Sequence, residues 1–347
     1  MPLSAVDAIN PAFQRMKRQL FPFRFGQWLR LAIVGLLAGE MGSGGGGLRF
    51  LSNFPTNLPS RRNQFQFPGL PAGPLFLFGI VILVVLALII GIIFLYINSR
   101  MRFVLFDSVV RGECRVRASW SQRGTPGFRY FIWQLVFGLI GIVTLGVLVG
   151  IPLIIGFRIG VFRTPGDHIP LLLLGGLIAL LIFFAWLVVF AVGSVLTKDF
   201  VVPQMALEDL TAMQGWSRLW GMMSAEKGAY AGYVGMKILL AIAAAVVLGI
   251  IGLVVILILL IPVGGVGLFA VLGGRAAGLT WNPVTIAIAI VCGAVILAGF
   301  FLLTSLISVP AIVFFPAYSI CFFADRYAPL RAALFPSTPA EPDIGMT

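Results

Sequence analysis

Long apolar runs alternate with polar loops along this chain, and the alternation is its clearest pattern. A hydrocarbon layer of about 30 Å is crossed by about 20 apolar residues in a helix. A helix also satisfies its backbone hydrogen bonds without water. The pattern therefore predicts an all-α integral membrane protein with about six transmembrane helices. The apolar runs cover residues 27–42, 75–97, 130–157, 170–197, 229–262 and 284–323.

The first and last runs are the least regular of the six. Arg30 and Glu40 bracket the apolar part of the first run, and a glycine-rich stretch at 42–47 follows it. A short, tilted span and a re-entrant segment both fit this pattern. The last run has about 40 residues, too many for one span. We therefore expect a break at Pro310, with Phe314–Phe323 forming a separate helix on the membrane surface.

The segments that follow the apolar runs resemble one another along the chain. Phe103 follows the second run, and Phe200 follows the fourth; each leads into a helix-like segment, a tryptophan, and a tyrosine at the next run. The spacing predicts three related helical hairpins joined by amphipathic elbows on the cytoplasmic surface. Such repeats often build transporters, although duplication also occurs in proteins that transport nothing. The repeat motif comprises Phe103, Asp199, Phe200, Pro203, Glu208 and Trp216.

Each elbow has features typical of a surface helix. In the second elbow, Pro203 suits a first-turn position, and Glu208 and Asp209 are expected early in the helix, where its dipole favours acids. In the first elbow, acids and bases four residues apart are expected to pair across one helical turn. These expected pairs are Asp107 with Arg111 and Glu113 with Arg117.

The two ends of the chain differ from its middle. Residues 4–21 predict an amphipathic helix that lies in the membrane interface, with Ser4 and Asp7 as a capping pair. Its apolar face comprises Val6, Ile9, Phe13, Met16 and Leu20. The sequence thus divides into an N-terminal interfacial segment at 1–26, a membrane domain at 27–335, and a Pro-rich tail at 336–347 predicted to be disordered.

Composition and charge agree with a membrane location. The chain is 60% hydrophobic and 10% charged, which no soluble domain of 347 residues matches. Its net charge of +12 favours contact with anionic lipid over nucleic acid. Alternate loops hold 18 of the 24 Lys and Arg residues, which predicts that both termini are cytoplasmic in a bacterial inner membrane. The basic residues expected at lipid headgroups are Arg15, Lys17, Arg18, Arg102, Arg111, Arg115 and Arg117.

Residues with reactive side chains are scarce. His168 is the single histidine and lacks neighbours for a metal site. The three cysteines are expected to be free thiols. Glu40 is the candidate intramembrane polar site, because charges inside spans often mark function. Lys237 and Arg158 are explained by side chains that reach toward the interface. We expect no cofactor and no enzymatic activity.

Several motifs resemble those of a known group of proteins. They are Asp199-Phe-Val-Val-Pro203 with Glu208-Asp209 and Gly215-Trp216, the basic amphipathic N-terminus, and the closing Tyr318 to Phe323 pattern. The chain resembles uncharacterised bacterial six-span membrane proteins that are similar to the membrane domain of some glycerophosphodiester phosphodiesterases. The resemblance implies a fold and a membrane location. It implies no activity, because the catalytic domain with its acids and histidines is missing.

Two functions fit these observations. The first is a non-enzymatic accessory, scaffold or assembly subunit that packs against lipid and other membrane proteins. The alternative is a permease or lipid-handling transporter built on the hairpin repeat. A polar-lined cavity reaching the middle of the membrane would favour the transporter.

Overall fold

The computed structural model describes residues 3–40, 74–160, 169–276 and 283–335, and every regular element in these ranges is a helix. The glycine-rich stretch at 42–47, His168 and the tail at 336–347 lie outside the described residues. The helices are α1 (Ile9–Leu20), α2 (Phe25–Leu37), α3 (Pro74–Arg111), α4 (Val116–Gln122), α5 (Gly124–Ile159), α6 (Ile169–Leu196), a π-helical turn (Thr197–Val201), α7 (Val202–Glu208), α8 (Ala212–Ala225), α9 (Lys227–Ala276), α10 (Pro283–Ala324) and α11 (Ala328–Leu334).

Five of these helices are long and apolar enough to cross a membrane: α3, α5, α6 with its continuation, α9 and α10. The first predicted span, 27–42, is instead the 13-residue helix α2. At 1.5 Å per residue α2 is about 20 Å long, short of the roughly 30 Å hydrocarbon layer. The described residues therefore contain five helices of spanning length where the sequence pattern predicts six.

The predicted break in the last run is wrong. Helix α10 continues through both Pro310 and Pro316 as one helix of 42 residues. A proline removes one backbone hydrogen bond, and membrane helices tolerate this where neighbouring helices cover the site. The expected surface helix at 314–323 is also wrong, since Phe315, Phe322 and Phe323 are almost fully buried.

The buried core lies at one end of the long helices, here called the core end, where α3 and α10 finish and α5 and α9 begin. Its largest fully buried side chains include Phe103, Phe200, Tyr233 and Tyr318. In the most apolar stretch of each of the five long helices, only 0 to 6% of the residues are buried inside the protein. The helices are thus held together at the core end, and their apolar middles face outward.

Both ends of the described chain meet at the core end. The Leu3 N–H donates to Asp325 Oδ2 over 3.1 Å, and the Tyr318 hydroxyl donates to the Ala5 carbonyl over 2.9 Å. Arg326 donates to the Leu3 carbonyl over 3.1 Å. Successive long helices alternate in direction, so the N-terminal segment and α11 lie on the same side of the helices.

Helix α2 lies beside the last turns of α3 and in contact with α10. The Gln27 side chain donates to the Gly112 carbonyl, and Asn98 donates to the Leu37 carbonyl over 2.9 Å. Gly35 faces Ile312 of α10 so closely that a Cβ atom would stand 2.5 Å from Ile312 Cδ1. This close approach requires the absence of a side chain at position 35.

The first elbow differs from its predicted form. Helix α3 ends at Arg111 and Gly112 follows with φ +76°, a left-handed conformation that glycine adopts readily. Helix α4 begins only at Val116, so Glu113 and Arg117 do not share a helical turn. The expected i,i+4 pairs are wrong: Asp107 pairs with Arg123 and Glu113 with Arg115, each over 2.9 Å.

The second elbow follows the prediction in part. Pro203 lies in the first turn of α7, as predicted. Glu208 ends that short helix and Asp209 follows with φ +57°, so the predicted early position of these two acids is wrong. Helix α8 begins after Thr211, which forms a capping box with Gln214. The turn chemistry of Thr211 therefore divides the expected single helix into two.

Ser4 and Asp7 form the expected contact, since the Asp7 N–H donates to Ser4 Oγ over 3.2 Å. The pair lies in the turn before α1 and does not cap the helix, whose N-cap residue Ala8 has no side-chain hydrogen bond. The predicted apolar face of α1 is shared between the core and the surroundings. Leu20 is 2% exposed, whereas Val6 and Phe13 are 58% and 52% exposed. Helix α1 thus packs on α10 with one edge and presents apolar side chains outward with the other.

Replacing Gly35 with Ala should destabilise the protein by about 1–3 kcal/mol, because the new methyl group overlaps Ile312. Gly26→Ala is the matched control in the same helix, where no heavy atom lies within 4 Å of the added carbon. Thermal unfolding of the detergent-purified protein should give a lower midpoint for Gly35→Ala alone. Equal midpoints for the two variants would contradict the close contact between α2 and α10.

Candidate functional site

Five charged side chains line one recess at the core end, and they come from four parts of the chain. Glu40 follows α2, Arg102 lies on α3, Lys198 and Asp199 lie in the π-helical turn, and Lys237 lies on α9. We call this the charged recess. Arg102, Lys198 and Asp199 lie just after the ends of apolar runs, where the chain changes from apolar to polar sequence.

The π-helical turn places two of these residues. A π turn adds a residue to the helical repeat and changes the direction of the side chains that follow. Asp199 and Phe200, adjacent in this turn, are both buried, with Asp199 in the charged recess and Phe200 in the aromatic core. Single-turn π segments within helices occur frequently at functional sites. This turn is therefore a candidate part of a binding site.

Glu40 and Arg102 form a buried ion pair. Arg102 Nη1 donates to Glu40 Oε1 over 2.9 Å, and Arg102 Nη2 donates to the Ala38 carbonyl over 2.7 Å. The side chains are 9% and 6% exposed, respectively. Because both charges are largely removed from water, each depends on the other for neutralisation. The carbonyl of Ala38 adds a favourable contact, since carbonyls at a helix C-terminus carry partial negative charge.

Asp199 is the second buried acid of the charged recess. Lys237 Nζ forms an ion pair with Asp199 Oδ2, and the Tyr233 hydroxyl donates to the same oxygen over 2.9 Å. The Tyr233 ring stacks on Tyr318 with centroids 5.2 Å apart and an interplanar angle of 8°. The position of Asp199 is thus fixed by α9, and that part of α9 is fixed in turn by α10.

Lys198 differs from the other charged residues of the recess. Its side chain is only partly buried. Within the described ranges it makes no ion pair and donates no hydrogen bond. With Arg102 and Glu40 paired and Lys237 and Asp199 paired, Lys198 leaves the charged recess with a formal charge of +1.

The recess is bounded on its other sides by apolar residues of α3, α7 and α10. Its empty volume is about 410 Å³, including the open space at its mouth. Ser319 adds a hydroxyl, which donates to the Pro316 carbonyl over 2.9 Å. The apolar wall comprises Leu105, Phe106, Val202, Pro203, Phe315, Pro316 and Ile320.

A third ion pair joins the helices around the charged recess. Arg123, at the start of α5, binds Asp107 of α3 through two parallel hydrogen bonds of 3.1 and 2.9 Å. Arg123 also donates to the Ala206 carbonyl at α7. Bidentate pairing between a guanidinium and a carboxylate fixes geometry as well as charge. Asp107 is 4% exposed, so this contact joins α3, α5 and α7 inside the core.

The residues predicted to lie at lipid headgroups occupy different environments. Arg102 is buried in the charged recess, so the expectation that it lies on the surface differs from the structure. Arg15 is half-buried and donates to the carbonyls of Val109 and Val110 over 3.0 and 2.7 Å. Desolvation lowers the pKa of Arg15. The remaining five residues, Lys17, Arg18, Arg111, Arg115 and Arg117, are exposed at the core end.

The repeat-motif residues show a parallel geometry. Phe103 packs edge-on against Tyr130 with centroids 5.9 Å apart, and Phe200 packs edge-on against Tyr230 at 5.3 Å. In both cases the end of one long helix contacts the start of the next. The internal repeat itself stays a prediction, which this shared contact supports. Of the other motif residues, Glu208 pairs with Arg218, Pro203 lines the charged recess and Trp216 lies 6.5 Å from Trp133.

Two members of the charged recess were missed by sequence reasoning. Lys198 is not among the candidate site residues that the sequence predicts. Lys237 was explained as a side chain reaching toward the interface, but it pairs with Asp199. A signal was present, because Lys237 lies two turns into an apolar run and Asp199 lies just after the preceding run, 170–197. Tyr233, one turn before Lys237, gives no separate signal in the sequence.

In the part of the chain that the structure describes, no three His, Cys, Asp or Glu side chains come close enough to hold a metal ion. The three cysteines are free thiols. What the charged recess offers is a set of fixed charges around a small volume, an arrangement suited to binding a charged group.

Replacing Glu40 with Gln should destabilise the protein by about 3 kcal/mol, since Arg102 would then be buried without its anionic partner. Glu113→Gln is the matched control, because its pair with Arg115 is exposed. Exposed pairs contribute about 0–1 kcal/mol. Thermal unfolding of both variants measures the difference, and an unchanged midpoint for Glu40→Gln would contradict a buried pair.

Comparison with known proteins gives a family but no activity. Residues 3–333 match the family model described as a family of unknown function, DUF7544. No curated protein and no solved structure matches the chain. The resemblance to the membrane domain of glycerophosphodiester phosphodiesterases is therefore left without support. Since the match covers nearly the whole chain, the protein belongs to the family of unknown function DUF7544.

Proposed function

We propose that the protein is a non-catalytic accessory or scaffold subunit of the bacterial inner membrane, which holds other membrane proteins in an assembly. The observation that carries this proposal is the distribution of buried surface. The core end is densely packed, whereas only 0 to 6% of the residues in the most apolar stretch of each long helix are buried. Such helices present most of their length to surrounding lipid or to other proteins.

Glycines on the outward surfaces favour contact with other helices. Gly146 and Gly150 of α5 are four residues apart, as are Gly228 and Gly232, which lie at the start of α9. An added Cβ atom at any of these positions would have no heavy atom within 4 Å. Small residues at this spacing allow two membrane helices to approach closely. In this proposal the open glycine surfaces are where partner helices pack.

The proposed orientation follows the distribution of positive charge. The exposed basic residues Arg111, Arg115 and Arg117 lie at the core end, together with both ends of the described chain. Cytoplasmic segments of membrane proteins are enriched in Lys and Arg. The core end therefore faces the cytoplasm in this proposal, with its exposed basic residues at anionic headgroups.

Photo-cross-linking in native membranes tests the scaffold role. A photoreactive residue at Leu180, Ile250 or Val295, all more than half exposed, should link the chain to one discrete protein. Phe190 is the matched position on α6, because its ring lies 5.0 Å from that of Phe137 on α5. A photoreactive residue there should give a link within the chain.

The same experiment can contradict the proposal. A scaffold partner should also lose its own assembly, measured by native electrophoresis, when the gene for this chain is deleted. Adducts to lipid alone at all three outward positions would exclude a scaffold role. Loss of the chain without any change in the assembly of the cross-linked protein would exclude it as well.

Thiol labelling in intact cells tests the orientation. In a chain with Cys292 and Cys321 replaced by Ala, Arg117→Cys should react with an impermeant maleimide only after the cells are permeabilised. Arg158→Cys, exposed at the opposite end of α5, should react in intact cells. The native Cys114 should stay unlabelled at pH 8, because burial raises the pKa of its thiol to about 11. Labelling at 117 in intact cells would reverse the orientation.

A lipid-handling transporter is the second candidate, and the charged recess favours it. The charged residues of the recess lie at the core end and do not continue along the spans. The apolar runs 75–97, 130–157 and 284–323 contain no Asp, Glu, Lys or Arg. A transport path would therefore need helices to move apart. Movement of labelled phospholipid between leaflets of proteoliposomes separates the two candidates: transfer that requires the protein favours the transporter.

A further inference from the structure

We propose that the charged recess is a binding site for a phosphate group, supplied by a phospholipid headgroup or by free phosphate. The inference is independent of the scaffold role. It rests on the charges that face the recess, on two donors that have no acceptor, and on the apolar wall beside them.

The charges leave one cation without an anion. Glu40 neutralises Arg102, and Asp199 neutralises Lys237. Lys198 is the fifth charged residue of the recess and has no ion-pair or hydrogen-bond partner among the described residues. Both acids already accept bonds from their basic partners, so their repulsion of an incoming anion is reduced. The recess thus has an excess positive charge located on Lys198.

Arg102 carries a second hydrogen-bond donor that has no acceptor. The Nε atom of Arg102 is fully buried and has no hydrogen-bond partner within the described ranges. A buried donor without an acceptor costs free energy relative to the hydrated state. Arg102 and Lys198 also repel each other as like charges that line one small volume. A ligand with negative charge and several acceptor atoms would relieve both penalties at once.

A phosphate group has these properties. Its oxygens accept several hydrogen bonds, and its charge would offset the excess on Lys198. Lysine binds phosphate as a compact point charge, whereas arginine donates in a fixed planar geometry. A water molecule could accept hydrogen bonds from the same atoms, but it would leave the positive charge uncompensated.

The surroundings of the recess fit a phosphate that carries a carbon chain. Phe315, Pro316 and Ile320 of α10 form an apolar wall next to the charged side chains. Arg102 and Lys198 lie just beyond the apolar runs 75–97 and 170–197, so the recess lies at the depth where headgroup phosphates begin. A diacyl phospholipid would place its phosphate at Lys198 and its glycerol against this wall.

Binding to the purified full-length protein in phosphate-free detergent tests the proposal. The probes are inorganic phosphate, short-chain phosphatidylglycerol, and a short-chain diacylglycerol that lacks phosphate, each measured by isothermal titration calorimetry. Lys198→Met should weaken binding of the phosphate-bearing probe about tenfold or more, because it removes a charged donor. Lys198 has no ion-pair or hydrogen-bond partner among the described residues, and its charge repels that of Arg102. This variant should therefore unfold at the wild-type temperature or above it.

Two further variants complete the test. Lys198→Arg keeps the charge and should retain binding. Lys227→Met removes the same charge from an exposed position at the core end and should also retain it. Binding of inorganic phosphate with this dependence supports the site and identifies free phosphate as sufficient. Binding of phosphatidylglycerol alone with this dependence supports the site and identifies a lipid as the source.

The remaining outcomes would overturn the proposal. They are the absence of binding by either phosphate-bearing probe, wild-type affinity in Lys198→Met, equal losses in Lys198→Met and Lys227→Met, and equal binding of the phosphate-free diacylglycerol.

Discussion

The packing around Phe200 holds the rest of this structure together. Its ring contacts four other rings, those of Tyr230 and Tyr233 at the start of α9 and of Phe322 and Phe323 at the end of α10, with centroids 5.0 to 6.0 Å apart. These tilted and edge-on contacts are the favourable geometries for aromatic pairs. Because Phe200 lies in the π-helical turn that follows α6, one side chain joins three of the five long helices. Contacts between the long helices are sparse outside the core end, so the aromatic core determines how these helices are arranged.

The buried ion pairs follow from this packing. Asp199 precedes Phe200, and Tyr233 contacts both the ring of Phe200 and the carboxylate of Asp199. A carboxylate held beside an aromatic core is removed from water and requires a positive partner, which Lys237 supplies. Glu40 and Arg102, which also line the charged recess, meet the same requirement and attach the end of α2 to α3. The aromatic core lies at the ends of the spans, where the sequence also contains charged residues. These charges must be paired with each other for the core to form there.

The parts of this fold that depend on local sequence could be predicted, and the parts that depend on distant contacts could not. The long helices follow from apolar runs, because hydropathy and helix length are local properties. The continuity of α10 past Pro310 involves a distant contact, because α2 packs closely on that part of α10 through Gly35 and Ile312. The aromatic residues 314–323 resemble an interfacial helix until their partners on α1 and α9 are known. The pair of Glu40 with Arg102 joins residues 62 positions apart, a contact that no periodicity reveals.

The long helices are packed together at the core end and exposed along their apolar middles, and this difference has a physical basis. In lipid, helices gain little by burying apolar surface against one another, because the acyl chains are equally apolar. Contacts within the membrane then require close steric fits, such as that of Gly141 on α5 beside Phe190 on α6. At the core end, water and charge are present, and aromatic packing and ion pairing both contribute to stability. The angles between the five spans are therefore determined at that end. Since α3, α9, α10 and the end of α6 all line the charged recess, a ligand that changed its shape would alter the arrangement of four spans together.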